Sequence, residues 1–118
     1  MGRGNLLGLL GICRKAGKLK LGFDPVADSL GKEACLLLFS SDISPKTKER
    51  MRKKAEGLSV AAIDIDETSD DIWRTIGKRV AVMAVTDRGL AEQAALLNAK
   101  AQSEKRPTEN HDEEDTNL

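Results

Sequence analysis

Apolar residues fall at helical spacing in some segments and in short continuous runs in others, which predicts helices alternating with strands. Leucines and a cysteine at helical spacing predict a first helix over residues 5–16, with Gly17 as its C-terminal cap. Asp24 and Pro25 have the form of an N-cap followed by the first helical residue. A short second helix is therefore predicted from Asp24 to Gly31.

Three apolar runs have the length of a strand, and they occupy residues 34–39, 60–65 and 80–85. The first run is uninterrupted, as expected of a strand that is covered on both faces. Because predicted helices separate the strands, the pattern favours an α/β sandwich with a parallel or mixed sheet.

A predicted helix follows each of these strands. Ser44 has the form of an N-cap for a strongly basic helix over residues 45–56. Thr68, with an aspartate three residues later, begins a capping-box pattern for the next helix, which ends at Gly77. The last predicted helix covers residues 87–98.

Composition divides the chain into two parts. A chain of 118 residues is long enough for one hydrophobic core and too short for two. After Lys100 the sequence holds almost nothing apolar, so burial cannot offset the entropy cost of ordering that segment. We therefore expect one folded α/β domain over residues 1–100 and a disordered acidic tail over residues 101–118.

The formal net charge of zero conceals an uneven distribution of charge. Between Met1 and Leu58, twelve lysines and arginines stand against six aspartates and glutamates. The acidic residues are concentrated in residues 64–71 and in the predicted tail. The average therefore hides a basic surface, of the kind that attracts nucleic acid.

Neither the cysteines nor the apolar N-terminal segment indicates a secreted or membrane protein. Cys13 and Cys35 lie among leucines without the spacing of a zinc or redox motif, so we expect buried, reduced thiols in the cytoplasm. The apolar stretch at residues 6–13 is interrupted by glycines and lacks a small-residue cleavage site. It is also too short to span a bilayer.

No pattern of catalytic residues is present, so we expect no enzyme, no metal and no cofactor. His111, the single histidine, lies in the predicted tail, and no glycine-rich phosphate loop follows a predicted strand. Asp64 and Asp66 alternate at a strand end, but two carboxylates without further ligands are weak support for a metal site. A solvated strand end is the simpler interpretation.

Four segments together resemble one protein family. They are LLGLLGICRKAGKLKLG, ACLLLFSSDIS, PKTKERMRKKAEG and IGKRVAVMAVTDRGLAEQ. They are similar to the bacterial YlxQ-type proteins, relatives of the kink-turn-binding large-subunit ribosomal proteins of the L-seven-Ae and L-thirty-e group. The resemblance covers roughly residues 5–98. It implies an L-thirty-e-like three-layer α-β-α sandwich around a four-stranded mixed sheet. It also implies a monomeric, ribosome-associated protein whose partner is structured RNA, with ribosomal RNA as the first candidate.

In that group, a glycine is followed near the start of the second helix by an asparagine and a glutamate, which hydrogen-bond sheared purines, and by a lysine, which meets a phosphate. The matching stretch here keeps only the glycine, Gly22. Asp24 lacks the amide donor, Pro25 has no polar side chain, and Asp28 would repel a phosphate. We therefore expect RNA binding mainly through backbone phosphates rather than standard kink-turn recognition.

The loop before the last strand is the second part of such domains that faces RNA, and here it keeps a glycine and two cations. Lysines near Gly22 are expected to support it. The candidate RNA-binding residues are Lys18, Lys20, Gly22, Phe23, Asp24, Lys32, Gly77, Lys78 and Arg79.

Structural roles compete with these assignments. The cations of the helix over 45–56 form a solubilising surface by default, and they bind RNA only if that helix lies beside the docking end. Trp73, at helical spacing from Ile72 and Ile76, is expected to be a core anchor rather than a platform for base stacking. The alternative function is a protein-interaction or scaffold module on the same fold, with RNA binding weakened or lost.

Overall fold

A computed structural model describes the backbone of residues 2–117 and the side chains of residues 6–103. Five helices and four strands make up this part of the chain. In chain order they are α1 (Gly2–Lys15), β1 (Leu19–Leu21), α2 (Phe23–Ser29), β2 (Leu36–Phe39), α3 (Pro45–Ala55), β3 (Ala61–Asp64), α4 (Ser69–Ile76), β4 (Val82–Val85) and α5 (Arg88–Asn117).

The four strands form one mixed sheet in the order β1-β4-β2-β3. β4 is antiparallel to both of its neighbours, and β2 and β3 are parallel. One end of the sheet therefore holds the last residues of β1, β2 and β3 and the first residue of β4. We call this end the carboxyl end, and the opposite end, where β1, β2 and β3 begin, the amino end.

Helices cover both faces of the sheet, which confirms the predicted three-layer α/β sandwich. On one face, α1, α4 and α5 bury a cluster that includes Leu10, Ile72 and Met83. On the other face, α2 and α3 cover a second cluster around Val26 and Met51. All residues of the two central strands, β2 and β4, are buried, as expected of apolar strands with helices on both sides.

β1 was not among the strands that the apolar runs predicted. It has only three residues, Leu19 to Leu21, and all three are half-buried. A three-residue strand at the edge of a sheet carries almost no periodic signal, because its conformation depends on pairing with a distant strand. Its partner β4 lies more than sixty positions later in the chain, with Leu19 opposite Val85.

The predicted start of α2 was wrong by two residues. Gly22, not Asp24, is the N-cap, and the helix begins at Phe23 without a side-chain cap. Gly22 has φ 98° and ψ 165°, a conformation that only glycine adopts without strain. Pro25 then lies third in the helix, where the missing N–H would have no partner within the helix anyway.

The helix ends predicted from local patterns are confirmed for α3 and α4. The Ser44 side chain accepts a hydrogen bond from the backbone of Thr47. Thr68 and Asp71 form the reciprocal capping box, and Gly77 ends α4 in the left-handed conformation. These features could be predicted because each depends on residues three or four positions apart.

α5 extends past residue 98, where the apolar pattern placed the end of the last helix. The Asn98 side chain donates to the backbone carbonyl of Asp64 at 3.2 Å, and the Gln102 amide donates to the Asp66 carboxylate at 3.1 Å. Contacts with the sandwich thus continue to Gln102, two residues past the predicted domain boundary. The division of the chain into a domain and an acidic tail stays a prediction.

Across the part of the chain that the structure describes, no helix combines the length and the apolar character needed to cross a membrane.

Candidate nucleic-acid interface

The turn after β1 lies against the segment that enters β4. Leu21 pairs with Met83, and the Gly22 N–H donates to the carbonyl of Val82 at 3.0 Å. A Cβ atom on Gly22 would lie 3.8 Å from the Val80 side chain. The Gly22 turn and the loop between α4 and β4, although almost sixty residues apart, therefore meet at the carboxyl end of the sheet.

The α4–β4 loop is fastened at its start by α1. The Gly77 N–H donates to the carbonyl of Trp73, and φ of Gly77 is 97°. The Arg14 guanidinium donates to the carbonyl of Ile76, and a Cβ atom on Gly77 would lie 3.1 Å from the nearest nitrogen of Arg14. Glycine therefore provides both the backbone conformation and the space that this contact needs.

The two cations of this loop differ in their partners. Arg79 forms an ion pair with Asp70 in the first turn of α4, and its guanidinium lies 5.3 Å from the centre of the Trp73 ring. Lys78 is exposed and forms no ion pair with any side chain that the structure describes. Lys78 is thus available to a phosphate, whereas Arg79 has to exchange one anionic partner for another.

Trp73 is not the core anchor that its spacing predicted. Its side chain is 50% exposed, whereas Ile72 and Ile76 on the same helix are buried. Successive residues of a helix point about 100° apart. Ile72 and Ile76 define the buried face of α4. The side chain of Trp73 therefore points to the edge of that face, where solvent reaches it. The prediction that Trp73 packs in the core was therefore wrong.

Phe23 and Asp24 lie at the carboxyl end with Gly22 because they form the first turn of α2. Phe23 is half-buried, and the guanidinium of Arg50 from α3 lies 4.5 Å from the centre of its ring. Asp24 is exposed. Arg50 was not among the candidate residues, because no local pattern shows which of the α3 cations reaches α2.

Lys18 and Lys32 lie at the opposite end of the sheet from the other candidates, and Lys20 lies between the two ends, in the middle of β1. Lys18 precedes β1 at the amino end, where its carbonyl accepts from the Thr86 N–H. Lys32 precedes β2 at the same end. The ammonium of Lys20 lies 3.8 Å from the carboxylate of Glu33, which belongs to the loop before β2. The structure thus brings Gly22, Phe23 and Asp24 together with the α4–β4 loop and separates them from Lys18 and Lys32, whereas the ammonium of Lys20 is directed to Glu33.

Side-chain hydrogen bonds also tie the neighbouring loops together at the carboxyl end. The Asp42 carboxylate accepts from the Ser40 hydroxyl at 2.7 Å, the Ser69 hydroxyl at 2.7 Å and the Ser69 N–H at 2.9 Å. The bonds from Ser40 and Ser69 lower the pKa of Asp42 below its ordinary value. In the capping box, the N–H of Thr68 likewise lowers the pKa of Asp71. Both carboxylates therefore hold the start of α4 in place.

The basic helix α3 runs away from the candidate interface. It begins just after β2 at the carboxyl end, and its last turn, with Arg52, Lys53 and Lys54, lies toward the amino end. Lys48 forms an ion pair with Asp64 at 2.7 Å. Three of the six α3 cations thus lie toward the amino end, which favours a solubilising role for them, whereas Arg50 reaches Phe23 beside the Gly22 turn.

The amino end carries a cavity of about 430 Å³ that opens to solvent. Lys32, Cys35, Leu58 and Arg88 are among the residues that line it. Cys35 is half-buried and Cys13 is buried, and both are free thiols. Burial, with a smaller contribution from the charge of Asp87, raises the pKa of Cys13.

Within residues 6–103, no group of three or more histidine, cysteine, aspartate or glutamate side chains has an arrangement that could hold a metal ion. Asp64 is engaged by Lys48, and Asp66 accepts from Gln102. His111 lies outside the described side chains.

Solved structures of other proteins show the same architecture. A protein of unknown function from Bacillus halodurans is similar over 80% of this chain and 96% of its own, with a TM-score of 0.72 and 26% sequence identity. The 15.5 kD RNA binding protein of Giardia lamblia is similar over 83% of this chain and 85% of its own, with a TM-score of 0.65 and 16% identity. No protein-family model matches the sequence, and no curated protein matches it significantly. The similarities to the two solved structures establish the fold.

Proposed function

We propose that this chain is a non-catalytic RNA-binding protein that contacts the phosphates of a structured RNA through the carboxyl end of its sheet. The observation that carries the proposal is the contact of the Gly22 turn with the segment around Val80. It joins the two parts of the chain for which the resemblance to kink-turn binders implies RNA contact. The description of the Giardia lamblia protein as RNA binding supports the same function on this fold.

The chemistry of the interface favours contact with the RNA backbone. Lys78 offers an exposed ammonium without an ionic partner among the described side chains, and it follows directly on the exposed Gly77. Asp24 at the start of α2 can accept a hydrogen bond from a base but repels phosphates. The α4–β4 loop, with Lys78, is therefore the expected point of phosphate contact, and the Gly22 turn lies beside it.

We extend this proposal to the RNA target, the oligomeric state and the family of the protein. The target is a kink-turn-like RNA, with ribosomal RNA as the first candidate, and the protein is a monomeric, cytoplasmic member of the YlxQ-type family. The fold and the resemblance of the four quoted segments support this assignment. Because the base-reading side chains are replaced, discrimination between a kink-turn and a plain duplex should be weak.

Acidic residues at the carboxyl end favour a second candidate function. Asp24 and Asp70 are exposed there, and Asp70 already pairs with Arg79. A protein partner with its own cations would accept this mixture of charges better than a polyanion would. In that case the fold serves as a protein-interaction module with little RNA affinity.

Titration with RNA distinguishes the two functions. Fluorescence polarisation of an end-labelled kink-turn RNA and a plain duplex, at several salt concentrations, should give binding whose affinity falls as salt rises. The slope of log K against log salt should be shallow, because each phosphate contact contributes about 0.7 to 0.9 to it and the interface offers few cations. Absence of binding to both RNAs at low salt would eliminate the proposal.

A matched pair of charge reversals locates the interface. Lys78→Glu should weaken binding to both RNAs and reduce the salt slope by about one phosphate contact or more. Lys32→Glu changes the net charge equally at the amino end and should have a much smaller effect. Equal losses would show that binding depends on overall charge. If the chain binds neither RNA and a protein partner is still recovered with it after RNase treatment, the result would support the interaction module.

A further inference from the structure

Trp73 is the largest exposed aromatic side chain in the described part of the molecule. It is the only tryptophan of the chain, which contains no tyrosine, and its side chain is 50% exposed. Neither phenylalanine offers a comparable surface, because Phe39 is buried and Phe23 is half-buried beneath Arg50. An exposed indole leaves apolar area in contact with water, which a binding partner would remove.

Trp73 belongs to the same surface as the α4–β4 loop. Arg79, the residue after Lys78, spans the distance from the loop to α4 and lies over the indole ring. Val80, the next residue, lies beneath the Gly22 turn. A ligand that contacts Lys78 and Gly22 therefore has the indole within reach on the α4 side.

Asp70 holds Arg79 in this position. The two side chains are 52% and 56% exposed, and ion pairs that open to water contribute little to stability. A phosphate can therefore replace the Asp70 carboxylate as the partner of Arg79 at small cost, and the planar guanidinium suits a bidentate contact with phosphate.

The following inference rests on the proposed function. We propose that Trp73 is a stacking platform for an unpaired base of the bound RNA, and that Arg79 leaves Asp70 and contacts the phosphate next to that base when RNA binds. Indole and guanidinium planes both stack on nucleobases. In the RNA-free protein, Asp70 keeps the guanidinium over the indole. In the complex, Arg79 contacts the backbone and Trp73 contacts the base.

A nucleic acid fits this surface better than a protein does. An exposed tryptophan can also anchor a protein partner, but such anchors lie in apolar pockets with a water-excluding rim. Trp73 instead has the guanidinium of Arg79 over its ring, and Lys78 precedes Arg79 in the same loop. An aromatic ring beside phosphate-binding cations is the combination with which proteins hold unpaired nucleotides.

The fluorescence of the single tryptophan tests this directly. The full chain is titrated with a kink-turn RNA and with the same RNA lacking the base at its unpaired position, and polarisation of a label on the RNA measures affinity independently. We expect quenching of Trp73 by the intact RNA, little quenching by the abasic RNA, and about 5- to 150-fold weaker binding of the abasic RNA, the range for one base stacked on an aromatic ring.

Variants separate stacking from folding. Trp73→Leu should lose affinity for the intact RNA to a similar extent, Trp73→Phe should retain most of it, and neither should change affinity for the abasic RNA. Asp70→Asn should raise affinity about 2- to 5-fold by freeing Arg79. The controls are Leu58→Ala, which shortens an exposed apolar side chain at the amino end, and Glu56→Gln, which removes a distant charge. Neither control should change affinity.

Failure of the inference differs from failure of the proposed function. RNA that binds by polarisation without quenching Trp73, or that binds Trp73→Leu as tightly as the unchanged protein, would overturn the inference and leave RNA binding standing. Absence of binding by polarisation would overturn both. A protein partner whose binding depends on Trp73, together with RNA affinity that does not, would assign the indole to protein recognition instead.

Discussion

At the carboxyl end of the sheet, side-chain hydrogen bonds join loops that are distant in sequence. At the amino end, the side-chain hydrogen bonds that the structure describes stay within their own loops, and an exposed ion pair between Lys20 and Glu33 joins β1 to the loop before β2. Asp42 and Ser69, at the carboxyl end, are 27 positions apart. At the amino end, Cys35 donates to the carbonyl of Glu33, two positions away, beside an open cavity. Since binding surfaces work best when their groups are held in place, this difference supports the carboxyl end as the interface.

The largest expected effect comes from the turn that brings the interface together. Gly22→Ala places a side chain at φ 98° and ψ 165°, so the free energy of unfolding should fall by about 1–3 kcal/mol. Gly8→Ala is the control. Gly8 lies inside α1 with no atom near its added Cβ, so alanine there should raise stability by about 0.5–1 kcal/mol. Urea denaturation measures both, and equal effects would show that the Gly22 turn is not constrained.

Removal of the Asp42 carboxylate should have the next largest effect. Asp42→Ala eliminates the bonds to Ser40 and Ser69, and should lower the free energy of unfolding by about 1–2 kcal/mol near neutral pH. Asp28→Ala, at an exposed aspartate of α2, should change it little.

The loss caused by Asp42→Ala should also depend on pH. The folded-state pKa of Asp42 is lowered from 3.8, so its contribution is fully present above that value and is lost as the pH falls through the folded-state pKa. The stability difference between the two proteins should therefore shrink well below pH 3.8. A difference that stays constant on acidification would contradict this account of the carboxylate.

Release of the α4–β4 loop should have a smaller effect on stability and a clearer effect on binding. Arg14→Met removes the hydrogen bond to Ile76 and should cost about 1 kcal/mol or less, because the arginine is exposed. RNA affinity should fall as the loop loses its fixed position. Arg52→Met, in the last turn of α3, removes a cation at the amino end and serves as the control. If both variants bind RNA equally well, Arg14 does not position the loop.

Thiol labelling compares the amino end with the core without altering stability. Cys35 is half-buried beside the cavity, whereas Cys13 is buried and its pKa is raised. Because the thiolate is the reactive form, a maleimide should label the native protein at Cys35 and leave Cys13 intact until denaturant is added. Mass spectrometry of the labelled protein would count the modified thiols. Rapid labelling of both would show that the core opens readily.

The sequence alone predicted the features that depend on neighbouring residues. The Ser44 cap, the capping box at Thr68 and the left-handed Gly77 are all confirmed, because each is determined within a single turn. The continuous apolar runs likewise predicted the buried central strands, since a strand covered on both faces needs apolar residues at every position. With the family resemblance, these features were sufficient for the three-layer fold.

Features that depend on distant contacts could not be predicted in the same way. Because Lys18 is close to Gly22 in sequence, both were predicted to belong to one site. β1 lies between them, however, and places them at opposite ends of the sheet. Trp73 shared its spacing with two core residues, and only the packing of α4 showed which direction is buried. Arg50 became part of the interface through its contact with Phe23, which requires α2 and α3 to pack side by side.

The pairing of β1 with β4 also affects the order of events during biosynthesis. β1 leaves the ribosome early, but it is an edge strand whose one neighbour in the sheet is β4, and β4 begins only at Val82. A nascent chain therefore cannot assemble the carboxyl end of the sheet until β4 has been made, so the proposed RNA binding would require a completed sheet. Protection of the Gly22 amide hydrogen from exchange, through its bond to Val82, would report the moment of completion.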